Sequence, residues 1–284
     1  MPPPVTCTPK LDTAAIACFR ATVYEHYRRH RRAMPWRETD DPYRILISEV
    51  MLQQTQVPRV MGKYGDFLAE FPDVTALAAS SLARVLKVWQ GLGYNRRAVA
   101  LHRLARELVD RGGVIPDDPT LLEKLPGIGR ATACAIAAFA FNRPVVFIET
   151  NIRSVFIHHF SLERDVVADK DLLPLVGATL DRTNPREWYW ALMDYGSYLK
   201  TMVPNPSRRS LGHRRQSPFE GSNRQLRGRI LRHLAIHGSE DAACLGSAVS
   251  GEDTAVARAV HELQIEGFVT RWGGRVVLGE GPRA

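Results

Sequence analysis

The run Leu121-Leu-Glu-Lys-Leu-Pro-Gly-Ile-Gly-Arg130, continued by Ala131-Thr-Ala-Cys-Ala-Ile-Ala-Ala-Phe139, decides the reading of this chain. Proline and two glycines interrupt a helix and the alanine-rich stretch favours one, so the pattern predicts a short helix, a Pro-Gly-x-Gly turn and a second helix. The turn sets the Gly127 and Gly129 amides at a helix N-terminus with no side chain in the way. Unpaired N–H groups and the helix dipole there form a phosphate-binding nest, beside which Arg130 adds positive charge. A Gly-rich turn between packed helices has the same sequence.

Helical periodicity dominates up to residue 203 and strand alternation is nearly absent. Ile16, Phe19, Val23 and Tyr27 share one helix face that runs into the basic stretch Arg28–Arg32. Asp41-Pro42 supplies an N-cap and a first-turn proline, and Pro58 opens a helix carrying Val60, Tyr64, Phe67 and Leu68. Ser80 or Ser81 caps a helix stopped by Gly91-Leu-Gly93, and Ala98, Leu101, Leu104 and Leu108 mark the next. Residues 1–11, with three consecutive prolines, read as a disordered tail. Residues 12–203 form a mainly helical domain and 204–223 a basic linker. Residues 224–284 hold three helices, the second capped by Ser239, and a hairpin turning at Gly273-Gly274. That is the outline of a small winged-helix-like α/β domain.

The 284 residues carry a net charge of +8, with 38 basic against 30 acidic side chains. Such a balance favours an anionic partner such as nucleic acid. Only six of the basic residues are lysines, and arginine's planar fork suits phosphate. No run approaches 18 apolar residues and the N-terminus lacks a charged and apolar leader, so neither a membrane span nor secretion is expected, and the compartment is cytoplasmic. Cys7, Cys18, Cys134 and Cys244 lie far apart, which excludes metal-site spacing within one segment and implies no disulfide framework. Glu49 shares a helix face with Ile45, Leu46 and Leu52. A carboxyl pointing where apolar side chains point gains proton affinity, which suits a general acid.

The motifs Pro35-Trp36, Asp41-Pro-Tyr43, Ser48-Glu-Val-Met-Leu-Gln-Gln-Thr-Gln-Val57, Gly91-Leu-Gly-Tyr94, Leu125-Pro-Gly-Ile-Gly-Arg130 and Glu149-Thr-Asn-Ile-Arg153 follow one another in this order. Over residues 30–200 the chain resembles the helix-hairpin-helix base-excision DNA glycosylases, and within them the MutY-type adenine DNA glycosylases. The resemblance implies an all-α, two-lobed domain with the damaged base bound in the cleft between lobes. It implies that Glu49 protonates a ring nitrogen of the departing base. It further implies that the carboxylate at 149, with Asn151 beside it, stabilises the oxocarbenium-like sugar. Gln53 and Gln54 correspond to the amide side chains that fill the gap left by a flipped nucleotide, and Tyr94 to an aromatic wedge beside the opposing base.

Several positions depart from the family. Glu149 stands where aspartate is usual, adding a methylene where a shift of about 1 Å can matter a hundredfold. Asn95 replaces a second aromatic. Ala131 stands where bifunctional relatives carry the Schiff-base lysine, so strand-cleaving lyase chemistry is not expected. The four-cysteine iron–sulfur loop of the adenine enzymes has no counterpart between Pro204 and Gly228, so the cluster is expected to be absent. Arg208, Arg209, Arg214 and Arg215 in that stretch are candidates to grip the DNA backbone in its place. Asp194 is a reserve carboxylate with a structural role. The expectation is a monomeric, cofactor-free, monofunctional glycosylase acting on duplex DNA, with adenine opposite oxidised guanine as the base removed. Two alternatives remain: a damaged or deaminated pyrimidine (uracil, thymine opposite guanine, 5-hydroxymethyluracil), or a non-catalytic DNA-binding protein.

Overall fold

The computed structural model describes residues 12–161, 165–213 and 218–279. Cys7, the proposed tail 1–11, Arg214 and Arg215 lie outside the described residues. In chain order the helices are α1 (Thr13–His30), α2 (Pro42–Leu52), α3 (Val57–Glu70), α4 (Val74–Ala79), α5 (Leu82–Val88), α6 (Arg96–Asp110), α7 (Pro119–Leu122), α8 (Arg130–Phe141), α9 (Thr150–Phe160), α10 (Asp169–Thr179), α11 (Pro185–Met202), α12 (Asn223–His237), α13 (Leu245–Ala248) and α14 (Asp253–Ile265). The strands are β1 (Ser239–Asp241), β2 (Val269–Trp272) and β3 (Arg275–Leu278). None of the described helices is long and apolar enough to cross a membrane.

The helices start where local chemistry puts them. Asp12, Asp73, Ser81, Asp118, Asn184 and Ser222 each cap the helix that follows them by accepting from a backbone N–H of its first turn. At α2, Asp41 Oδ1 accepts from the Tyr43 N–H at 2.8 Å and Pro42 occupies the first helical position.

The chain forms two compact units. The first comprises residues 1–49, 116–124 and 128–215, and the second 50–115, 125–127 and 216–284. In the first, α11 lies against α1, α8 and α9, burying Trp188, Tyr189, Leu192, Val155 and Phe156. At its centre a buried Asp194 accepts two bonds from the Arg37 guanidinium, at 2.7 and 2.9 Å, and one from Arg32 Nε at 2.6 Å. Burial opposes the charge on Asp194, but the bonds and charge of Arg37 and Arg32 outweigh it and hold the carboxyl below its usual range. This carboxylate is occupied in holding α1, the Pro35–Arg37 turn and α11 together.

The segment that reads as a linker is ordered at its start. Pro206 and Ser207 are buried, Val167 and Arg209 share a backbone bond of 2.8 Å, and the Arg209 guanidinium donates to the Ser161 carbonyl. The reason is that Asn205 accepts from the Ser207 N–H and Ser154 reaches toward it, fastening the stretch to α9. Arg208 is exposed.

In the second unit α4 and α5 pack on α6, whose buried face carries Ala98, Leu101, Leu104 and Leu108. The C-terminal part belongs to the same unit: α12 packs on α5, and Gly279 lies against Leu82 and Ala83. Arg96, at the start of α6, holds both carboxylate oxygens of Glu266 at 2.6 and 2.7 Å, and Arg227 of α12 holds the same carboxylate from its other side. Ser239 does not cap a helix. Gly238, with φ +78°, ends α12, and Ser239–Asp241 forms β1 by pairing with the free edge of β3, giving an antiparallel sheet of order β1-β3-β2. The β2–β3 turn is Gly273-Gly274, both at positive φ as a two-residue primed turn requires.

Candidate active site

Glu49 lies in the last turns of α2, where Ile45, Leu46, Ile47, Val50 and Met51 are buried. Among the described residues it forms no ion pair. Burial and, after it, the negative charge of Glu149 push its carboxyl up to about 8, with the Arg37 charge acting in the opposite direction. At neutral pH this side chain therefore carries a proton that it can give away.

Glu149 follows Val145–Ile148, a stretch outside helix and strand, held by Tyr189 Oη donating to the Val145 carbonyl at 2.7 Å and by the Phe147 ring against Tyr189. Glu149 is the N-cap of α9. Its Oε1 accepts from the Asn151 and Ile152 N–H groups at 2.7 and 2.9 Å, which fixes a carboxylate at the positive end of the helix dipole. Asn151 Nδ2 faces Glu149 Oε2 at 3.3 Å, and Asn151 Oδ1 accepts from Lys200 Nζ at 2.8 Å. Glu49, Glu149, Asn151 and Lys200 all belong to the first unit.

The turn Gly127–Gly129 has two different glycines. Gly127 has φ +78° and a Cβ there would stand 2.7 Å from Cβ of Ala100, so packing and backbone alike demand glycine. Gly129 is the exposed N-cap of α8, with nothing within 4 Å of where a Cβ would stand. Arg130 is exposed and pairs loosely with Glu123 at 3.5 Å. Ala131 is exposed in the first turn of α8.

Gln53, Gln54 and Tyr94 sit in the second unit, on two tight turns. Gln54 (φ +55°) and Tyr94 (φ +46°) both hold left-handed conformations unusual for side chains of their kind. Tyr94 is 39% exposed, Gln54 is exposed, and Gln53 Nε2 reaches the Gly127 carbonyl at 3.4 Å. A buried arginine that sequence reading passed over, Arg97, ties the two turns together. It donates to the Val50 and Met51 carbonyls at 2.8 and 2.7 Å, to Thr55 Oγ1 at 2.9 Å and to the Gly93 carbonyl at 3.0 Å, while stacking over Trp89 and Tyr94. Its signal was present: Arg97, Leu101, Leu104 and Leu108 share one helical stripe, and an arginine on an apolar stripe needs acceptors. Lys200 was also missed, because nothing local links residue 200 to residue 151.

The model of the HhH-GPD superfamily of base excision DNA repair proteins matches residues 47–175. An adenine DNA glycosylase of Mycobacterium tuberculosis is 35% identical over 279 residues, covering 90% of this chain and 92% of that protein. Another, from Mycolicibacterium smegmatis, is 36% identical over 227 residues, covering 73% of this chain and 76% of that protein. The chain belongs to the adenine DNA glycosylase family. Among solved structures, a thermostable thymine-DNA glycosylase superposes with a TM-score of 0.58 at 27% identity, over 64% of this chain and 86% of that one. A 90% match cannot be confined to residues before 204, so the adenine glycosylase of M. tuberculosis aligns with part of the C-terminal segment too.

An iron–sulfur cluster of the kind the resemblance implies needs converging thiolates. Cys18 lies exposed on α1, Cys244 is exposed just before α13, and Cys134 is buried in α8, where burial pushes its thiol up and disfavours the thiolate. Among the described residues no three His, Cys, Asp or Glu side chains are grouped to hold a metal ion. The described cysteines do not fit such a cluster.

Proposed function

We propose that the protein is a monofunctional DNA glycosylase that removes adenine opposite oxidised guanine from duplex DNA, leaving an abasic site. The observation that carries this reading is the pair of carboxyl groups in one unit with different tasks: Glu49 protonated near pH 7, and Glu149 held by two backbone N–H groups at a helix N-terminus. Glu49 donates its proton to a ring nitrogen of adenine. The C1′–N bond then breaks, its electron pair leaving with the neutral base. Glu149, oriented by Asn151, lies opposite the positive charge that develops on the sugar, and water adds to C1′, giving up its proton to the Glu49 carboxylate, which completes the hydrolysis and restores the acid.

Gln53 and Gln54 fill the space of the flipped nucleotide and Tyr94 wedges beside the opposing base, both turns being held by Arg97. The amides at Gly129 and the start of α8, with Gly127 shaping the turn and Arg130 adding charge, bind a backbone phosphate. Arg208 is exposed for a further phosphate contact, whereas Arg209 is turned inward to Ser161. Ala131 offers no amine, so the enzyme makes no Schiff base at that position. It works as a monomer without an iron–sulfur cluster, on DNA in the cytoplasm.

Duplexes carrying adenine opposite 8-oxoguanine, adenine opposite guanine, uracil, thymine opposite guanine, or 5-hydroxymethyluracil, cleaved with alkali after incubation, test the assignment. Excision of adenine opposite 8-oxoguanine faster than of any pyrimidine is expected. Preference for thymine or uracil overturns the choice of base, and no excision of any overturns the enzyme.

A further inference from the structure

Asn151 stands between two charged groups. Its Nδ2 faces Glu149 Oε2 at 3.3 Å and its Oδ1 accepts from Lys200 Nζ at 2.8 Å. An ammonium has donors only, and a carboxylate acceptors only. Turning the amide over would set its NH2 against the ammonium and its oxygen against the carboxylate. Lys200 and Glu149 therefore select the same orientation of Asn151, and the ammonium holds the amide by its oxygen with the NH2 turned to the carboxylate.

The fold is built to bring Lys200 there. Gly196 lets α11 press onto α9, since a Cβ at that position would stand 2.3 Å from the Asn151 carbonyl oxygen. Lys200 comes four residues later and so leaves the helix on the same face, one turn on. The other charges acting on Lys200 are Glu149, Arg153 and Arg32. Arg153 is paired with Asp169 at 2.6 and 2.7 Å, and Arg32 with Asp194. Burial lowers the proton affinity of Lys200, and the charge of Glu149 works against that loss.

We infer that Lys200 is a positioning residue for the Glu149 carboxylate, acting through the side chain of Asn151. The inference rests on the role proposed above for Glu149 and deepens it. A glutamate has one more rotatable bond than an aspartate and more ways to miss the sugar. Two backbone N–H groups hold one of its oxygens, and the Lys200–Asn151 relay holds the other.

The test is single-turnover excision of adenine by Lys200→Met, Lys200→Arg, Asn151→Ala and the double variant Lys200→Met/Asn151→Ala, with Kd measured on a duplex bearing a non-excisable 2′-fluoro adenosine. Lys200→Met is expected to slow the chemical step about 10- to 100-fold, with Kd changed less than about twofold. Lys200→Arg recovers most of the rate. The double variant is no slower than Asn151→Ala to within about twofold, because the lysine's hold on the carboxylate runs through that amide. A parent-like rate in Lys200→Met overturns the inference, as does a double variant whose loss is the product of the two single losses, or a loss residing in Kd. If the methionine variant does not fold, Lys200→Gln is judged by the same criteria. A parent enzyme inactive on every duplex refutes the functional reading itself and takes this inference with it.

Discussion

Replacing Glu49 with glutamine removes a transferable proton with almost no change of shape, and two independent readouts follow. With its carboxyl pushed up to about 8, roughly nine in ten molecules hold the proton at pH 7, against roughly three in a thousand at the ordinary 4.5. The parent's single-turnover excision rate is therefore flat through neutrality and falls about tenfold per pH unit above about pH 8. Glu49→Gln loses on the order of 10²- to 10⁴-fold, the usual worth of a general acid, and its residual rate lacks that alkaline limb. The second readout is stability. A carboxyl with raised folded-state proton affinity contributes stability below the unfolded value, and that contribution is lost as pH rises toward 8. Glu49→Gln has no such loss, so at pH 7 it is more stable than the parent by at most about 3 kcal/mol and melts at a higher temperature, and the advantage shrinks as pH is lowered to about 4.5. Thermal melts at pH 4.5, 6, 7 and 8 read it directly. A parent rate flat to pH 10, or a stability advantage of the glutamine variant over the parent no larger at pH 7 than at pH 4.5, would refute the general-acid reasoning.

Glu149→Gln should lose most excision while Glu149→Asp keeps measurable activity, because both acids place charge at the N-terminus of α9; equal rates for Gln and parent would move the oxocarbenium role elsewhere. In whatever activity Glu149→Gln retains, the alkaline limb of Glu49 shifts to lower pH, since a neighbouring negative charge has been removed. Gly196→Ala drives a methyl against the Asn151 carbonyl, and a loss of about 1–3 kcal/mol in chemical denaturation is expected together with slower excision. His159 is buried beside Tyr195 Oη at 3.0 Å, and burial, aided by His158, lowers it to about 4. The unfolded chain binds that proton more readily, so stability is full above about pH 6.5 and declines as pH falls toward 4; His159→Gln should flatten this decline in pH-dependent melts.

Much of the helical framework was legible because it is set locally. Capping residues, prolines in first turns and glycines after last turns act on their immediate neighbours, and apolar spacing marks the buried faces of α1, α3, α5 and α6. Glu49 was legible for the same reason: its conflict with Ile45 and Leu46 on one helix face is visible in spacing alone. The Gly273-Gly274 turn announced β2 and β3. β1 was not announced, because Ser239–Asp241 has no strand character and is extended only because β3 offers it an edge. The start of the apparent linker misled in the opposite way, since its polar composition conceals Asn205 and Arg209 bonding back to α9 and Ser161.

By itself, then, the sequence determined what depends on neighbours within a few positions: helix ends, buried stripes, the Pro-Gly-x-Gly turn, and the order of motifs that marks the family. Tertiary structure alone decided what depends on residues far apart in the chain. The proton affinity of Glu49 rests on burial and on a charge one hundred positions away, Asp194 is matched with Arg32 and Arg37, and Lys200 reaches Asn151 across two packed helices. Electrostatic energy follows distance in space and the degree of burial. Chain spacing encodes neither until the helices have packed.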